Sequence, residues 1–473
     1  MKKAMALLLS LLLTVSLAGC KNGIGNSSSG GNEMSPSNGL IPEDGWNEIP
    51  SDTTESNTSS EIQSAEIRSV ASTVSKRINA TSSSEKAETQ TSSDTTSLNQ
   101  EQTKPGTLKE VYKPTFAKGF QIEYYYGGAK IISTSFSTTS EEGVTNVRKQ
   151  RILILPQGAV QPIDVKWDKK IDGVVTRVVT LASAHAGHFA NLNAIDSIKG
   201  TSLSPTSCEI PELKKALEDG TVQYLKSQSD SDGSKYFDQE IVAQLQPQVV
   251  FVGGMQADVL VAKKLEESGM NCVYIGDFAE DSYMGRAQWI ELFGAFIGKE
   301  QQGQDFLKDG VKRANHIIAR AQKIQKTPKV LWFNTSKSPW SVKTDKDYTA
   351  SFIKDLGGQL LCPKTDDNAI YLQSEEFLPY LLQADKVVYG NSLKYIKFTS
   401  AEDITDLNAP GIDFGSSPAY QSGDCYAVGY DWAQDTANIG DIMEDLAKMM
   451  YPDEFKDLAS SNKIVTFRKS NKK

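Results

Sequence analysis

Histidine is nearly missing from this chain, with three in 473 residues. A zinc or manganese receptor needs about three or four His or carboxylate ligands, so that function has few imidazoles to draw on. Cysteine is scarce too. Cys20 stands alone near the N-terminus, and Cys208, Cys272, Cys362 and Cys425 are scattered with no Cys-x-x-Cys pair. A zinc ribbon or dithiol redox motif is thereby disfavoured. The chain contains no Gly-x-Ser-x-Gly elbow, no Gly-Lys-Ser/Thr phosphate loop and no His-Glu-x-x-His helix. Ser183 lies near His185, but a triad also needs an acid that orients the base in space. Positive charge is in deficit: 50 Lys and Arg against 59 Asp and Glu give a net charge of −9. That balance argues against a nucleic-acid face and against adhesion to anionic lipid heads. Past residue 19 no apolar run approaches the ~20 residues that a membrane-crossing helix requires. These absences point to a protein that is not an enzyme and has no intrinsic cofactor.

The chain does begin with a recognisable leader. Lys2-Lys3, an apolar run from Ala4 to Val15 and small residues after it read as a secretion signal over 1–19. Leu17-Ala18-Gly19-Cys20 resembles the lipobox of bacterial lipoproteins. That resemblance implies lipid on Cys20 and anchorage to the outer face of the cell membrane, on its periplasmic or extracellular side. Residues 20–105 are rich in Ser and Thr, and Trp46 is their only aromatic. Such a segment buries too little apolar surface to offset its ordering entropy, so it reads as a disordered tether that gives the body reach.

From about residue 106 the pattern changes. Phe120 to Tyr126 and Lys130 to Ser135 alternate around Gly127-Gly128, a hairpin signal. Further strands read at 151–156 and 174–181. Pro247 to Val252 is an apolar run that stops at Gly253-Gly254; a helical pattern ends at Gly269, and Cys272 to Ile275 is another short run. Short apolar strands alternating with amphipathic helices predict mostly parallel sheets covered on both faces. Leu307, Val311, Ala314, Ile318 and Ala321 then draw one stripe along a long helix before Pro328. After it the alternation resumes. The expected α/β architecture has an N-terminal lobe at 106–298, a bridging helix at 299–327 and a C-terminal lobe at 328–473. Cys362 with Cys425, both in the second lobe, is the disulfide expected.

The strand ending in Gly253-Gly254, the unit Lys264 to Ile275, Gly285-Arg286 with Trp289, and Phe293 to Glu300 together resemble the helix-bridged substrate-binding proteins of bacterial ABC importers. The segments Val178–Gly200 and Ser422–Phe455 resemble the same family. It captures ferric siderophores, haem and cobalamin. The resemblance implies a monomeric receptor that takes a small metal chelate or macrocycle between its lobes and delivers it to an ABC permease dimer. Alternatives from the residues alone are a Zn/Mn receptor and a non-transport surface lipoprotein or adhesin.

In open α/β sheets ligands sit beyond the carboxyl ends of the strands. Those loops hold Ser183 to His188, Gly253 to Gln256, Asp277 to Arg286, Asn334 to Trp340, Tyr371, Asn391 and Tyr430 to Trp432. The ligand-binding set expected is Ser183, His185, His188, Gly254, Met255, Gln256, Tyr283, Arg286, Trp340, Tyr371 and Trp432, its aromatics suiting a flat or greasy ligand. His185 and His188, three apart, could place imidazole on haem iron or a corrin cobalt, with Tyr or Met255 as rivals, or could simply bond the backbone. Arg286 reads more readily as a partner of Glu280 or Asp281 than of a ligand carboxylate. The resemblance further implies one permease-contact acid per lobe, Asp258 and Glu376; both also fit ordinary helix-start acids.

Overall fold

A computed structural model describes residues 104–139, 145–231, 235–334, 338–391 and 412–466. The leader, Cys20 and the tether lie outside them. Five strands come first: β1 (Leu108–Tyr112), β2 (Phe120–Tyr125), β3 (Lys130–Thr139), β4 (Thr145–Leu155) and β5 (Lys169–Asp172). They form one sheet in that order, antiparallel from β1 to β4, with β5 parallel to β4. This sheet is an addition to the expected parallel lobe. The hairpin at Gly127-Gly128, both with positive φ, starts it.

The first lobe follows, with β6 (Val178–Thr180), α1 (Ser183–Asn191), β7 (Ile198–Thr201), α2 (Pro211–Glu218) and β8 (Gln223–Tyr224). A small ribbon of β9 (Gln228–Ser229) and β10 (Lys235–Tyr236) precedes α3 (Gln239–Gln244), β11 (Val249–Gly253), α4 (Gln256–Glu267), β12 (Cys272–Ile275) and α5 (Tyr283–Ile297). Its sheet runs β12-β11-β6-β7-β8, all parallel. Val249 to Val252 are buried without alternation, as a strand covered on both faces requires.

The bridging helix α6 (Glu300–Ala321) ends six residues short of the expected bound at 327. It packs on α5 and on α10 (Ile439–Met450). The sequence reads Gly303 and Gly310 as weak points. In the structure they are points of close approach: a Cβ at Gly303 would lie 3.2 Å from the Glu291 Cα, and one at Gly310 3.0 Å from Ile439.

The second lobe contains β13 (Lys329–Phe333), β14 (Trp340–Lys343), α7 (Tyr348–Asp355), β15 (Gln359–Leu360), β16 (Ala369–Leu372), α8 (Ser374–Leu381), β17 (Lys386–Tyr389), α9 (Pro418–Ser422), β18 (Cys425–Val428), α10 and β19 (Ile464–Thr466). The centre β13-β17-β18 is parallel, and β14, β16 and β19 are antiparallel additions. Cys362 and Cys425 are thiols, not the expected disulfide.

Side chains weld the first sheet to the first lobe. The Gln150 amide accepts from Tyr274 N (2.9 Å) and donates to the Cys272 carbonyl (3.3 Å), standing in for the strand that edge strand β12 lacks. Glu280 accepts from Lys118 N, Gly119 N and Trp289 Nε1 at 2.9–3.0 Å. Burial pushes the Glu280 carboxyl upward, and those three donors oppose the shift. Glu280→Ala leaves them unsatisfied and is expected to cost about 3 kcal/mol in urea unfolding. Unchanged stability would mean the sheet is held by its apolar contacts alone.

Candidate functional site

The carboxyl ends of the strands face one cleft. From the first lobe it is lined by Ser183 beyond β6, Ser202, Ser204 and Ser207 beyond β7, and Tyr224 of β8. From the second lobe come Gly390 and Asn391 beyond β17, Tyr430 and Trp432 beyond β18, and Gln434. The cavity measures about 360 Å³, near the small end for ligand pockets. Its described lining holds hydroxyls, amides and aromatic rings, with no charged side chain among them.

A segment of the second lobe closes the back of this cleft. Gln434, 3% exposed, accepts from Glu209 N (2.9 Å) and donates to the Ser207 carbonyl (2.7 Å). The Asn191 amide donates to Asp435 (2.8 Å), and Ser183 Oγ donates to the Ala433 carbonyl (3.3 Å). Gly187 sits against this segment so closely that a Cβ would lie 1.5 Å from the Gln434 carbonyl oxygen. From the far side Lys463 binds Asp431 (2.6 Å) and Asp435 (2.5 Å). Asp445 accepts from Ser461 N, Lys463 N and Ile464 N, fixing the segment that carries Lys463 into β19.

Several expected ligand residues instead fasten the lobes together. Tyr283 of α5 stacks on Phe352 of α7 at 3.9 Å and donates to Asp355 (2.7 Å). Arg286 lies 3.9 Å over the Tyr348 ring, and Trp432 Nε1 donates to Tyr348 Oη (3.1 Å). Arg286 also donates to the Asp277 carbonyl (3.2 Å). It therefore meets neither expected acid, Glu280 nor Asp281, through a described ion pair; cation–π contact with the other lobe is its main engagement.

His185 and His188, expected as metal or axial ligands, are packed away from the cleft. Each is 1% exposed, and both rings lie against Phe293 of α5. They belong to the underside of α1, which is packed, because Gly187 between them faces the second lobe. Burial lowers the pKa of both, that of His188 to about 4. Among the described residues no group of three or more His, Cys, Asp or Glu is arranged to hold a metal ion.

Of the other expected residues, Ser183 and Trp432 line the cleft. Gly254 is covered: a Cβ there would fall 2.1 Å from Phe136 of β3. Trp340 is fully buried, stacked on Phe377 at 4.6 Å in the second-lobe core. Tyr371 is 67% exposed on strand β16, whose only described partner is β14, and Met255 is exposed as the N-cap of α4. Neither lines the cleft. Gln256 opens α4. Asp258 and Glu376 occupy the same capping position in their helices, accepting from Met255 N (3.2 Å) and Gln373 N (2.9 Å). Glu376 is exposed; Asp258 is half-buried and lines a second cavity. Sequence reasoning missed Ser202, Ser204, Ser207, Tyr224 and Gln434. The cluster of serines directly after the strand ending at Thr201 was the available signal.

Comparison with known proteins shows what the two-lobe chain is similar to. A family model described as periplasmic binding protein matches residues 178–388. That match runs from β6 to β17 and covers less than half of the chain. An uncharacterized lipoprotein of Methanocaldococcus jannaschii is 27% identical over 258 residues, covering 52% of this chain and 61% of the relative. A second uncharacterized lipoprotein of that organism is 24% identical, covering 61% and 68%. The chain thus spans about three fifths to two thirds of the length of these curated relatives. Among solved structures, a periplasmic heme binding protein from Pseudomonas aeruginosa has a TM-score of 0.48 at 16% identity, covering 62% of this chain and 98% of that one. An ABC-type Fe3+-hydroxamate transport system structure from Saccharomonospora viridis has a TM-score of 0.46 at 16% identity, with 59% and 94% covered.

Two outcomes follow. Gly187→Ala drives a methyl group into the Gln434 carbonyl and is expected to cost about 2 kcal/mol while raising acrylamide quenching of Trp432; unchanged quenching would mean the segment yields elsewhere. His188 is neutral when folded, with its pKa lowered to about 4 from 6.5. The unfolded chain takes up that proton first, so stability falls as pH drops from about 6.5 towards 4. In His188→Leu that part of the acid loss should disappear from thermal melts recorded across the range.

Proposed function

We propose that the protein is the solute-binding receptor of an ABC importer, taking a metal chelate into the cleft between its lobes and delivering it to the permease. The observation that carries this is the hydroxyl- and aromatic-lined cleft at the carboxyl ends of both sheets; its first-lobe wall lies in the span that resembles periplasmic binding proteins. A ferric siderophore is the favoured ligand class. Its iron is already saturated by the chelator, so the protein need only hydrogen-bond and stack on the periphery, which Ser183, Ser202, Asn391, Tyr430 and Trp432 are equipped to do. Haem or a corrinoid remains a second form of the same reading; haem would take Tyr224 or Tyr430 as its axial ligand, since both imidazoles are packed away.

Glu376, exposed at the start of α8, is the second-lobe residue proposed to meet the permease. Asp258 is not proposed for that role, because its carboxylate is turned inward. Lipid on Cys20 would anchor the receptor to the outer face of the membrane, a reading supported by the two lipoprotein relatives.

The test is a titration of intrinsic fluorescence and absorption with a ferric trihydroxamate, haemin and cobalamin in turn. Saturable quenching by one of them, reduced at least threefold in Trp432→Phe, is the expected result. No response to any of the three would overturn the receptor reading for metal chelates.

A further inference from the structure

The cleft has a second chamber. A cavity of about 260 Å³ lies between α4 and Tyr224, Ser227, Lys235 and Phe237, and shares Ser202 and Tyr224 with the main cleft. Its apolar walls are Leu181, Phe237, Val252 and Val261. Asp258 supplies a carboxylate to it. Asp258 Oδ2 accepts the Met255 amide, and Oδ1 accepts no hydrogen bond among the described residues. Lys235 also borders the chamber, but it is exposed, and no ion pair among the described residues joins it to Asp258.

A cavity of mixed lining, with apolar walls on one side and one carboxylate, has a definite complement. Alkyl carbons can lie along Leu181, Val252 and Val261 while a charged donor meets Asp258. A metal ion does not fit, because one carboxylate falls short of the three or more protein ligands that hold one. An anion does not fit either, since it would face Asp258 in a partly dehydrated space. From this juxtaposition we infer that the chamber is a subsite for an alkylammonium arm of the ligand, with Asp258 as the specificity-determining residue. This deepens the receptor reading and rests on it. The main cleft holds the body of the chelate, and the arm passes between Ser202 and Tyr224 to reach Asp258. Lys235 opposes the arm from the rim, so its removal should strengthen binding.

The experiment compares ferrioxamine B, a ferric trihydroxamate with a free ammonium tail, with its N-acetyl derivative, by fluorescence titration of the full folded chain. The expected result is at least tenfold tighter binding of the ammonium form. Asp258→Asn, which retains an oxygen for the Met255 amide, should abolish that preference without weakening the acetylated form, and Lys235→Gln should enlarge it. Equal affinity of the two forms for the native protein overturns the subsite and leaves the receptor standing. If neither form binds, the receptor reading fails for this chelate, and pentylammonium alone decides the chamber. Shifts of the Val252 and Val261 methyl resonances that vanish in Asp258→Asn would uphold the subsite; absence of shifts would overturn it.

Discussion

The cleft depends on one contact between the lobes, the seating of residues 431–436 on helix α1. It is a backbone-to-backbone approach made possible by Gly187, whose missing Cβ leaves room for the Gln434 carbonyl. Gln434 then satisfies both ends of its buried amide on the main chain of the 204–209 loop. A buried amide left half-bonded would cost about 1–3 kcal/mol, so the contact resists partial opening. Support comes from deeper in the second lobe, where Asp445 holds the start of the final strand and Lys463, just before that strand, holds Asp431 and Asp435. The serine and aromatic lining is positioned by this chain of contacts.

A second clasp works on different physics. Tyr283 on Phe352, and Arg286 on Tyr348 with Trp432 behind it, join the lobes through stacked rings beside the bridging helix. The helix itself adds Arg313, paired with Asp441 and Glu444 of α10. Three attachments make the cleft a preformed slot, and a rigid slot lowers the ordering cost of binding. Asp258 and the alkyl-walled chamber beyond Ser202 and Tyr224 give that slot a direction.

Much of the architecture was legible in the chain. The short unbroken run Val249–Val252 bounded by Gly253-Gly254 reads as a strand covered on both faces, and the stripe Leu307–Val311–Ala314–Ile318 at spacings of three and four reads as a long helix. The first sheet was legible only as a hairpin, because its weld to the lobe rests on single polar side chains, Gln150 and Glu280, that carry no periodic signal. The site was harder to read. Aromatic residues in loops looked like ligand walls, but Trp340 fills a core and Tyr283 fastens a lobe; ring chemistry serves all three uses equally. The histidines were harder still: Ser183 to His188 reads as a cleft loop, but these residues open helix α1, and the packing of Gly187 and Phe293 shows that the face carrying both imidazoles points inward. Serines 202, 204 and 207 looked like an ordinary polar loop, and their role follows from strand order.

The central claim is that the lobes are clasped before any ligand arrives. Spin labels at exposed Lys214 on α2 and Gln421 on α9, in a chain with half-buried Cys362 changed to Ser, would report the separation of the lobes by double electron–electron resonance. The account predicts one narrow distance distribution in the ligand-free protein, broadened when Gln434→Ala removes the buried amide. A broad or two-peaked distribution in the ligand-free native protein, collapsing to one peak with ligand, would contradict it.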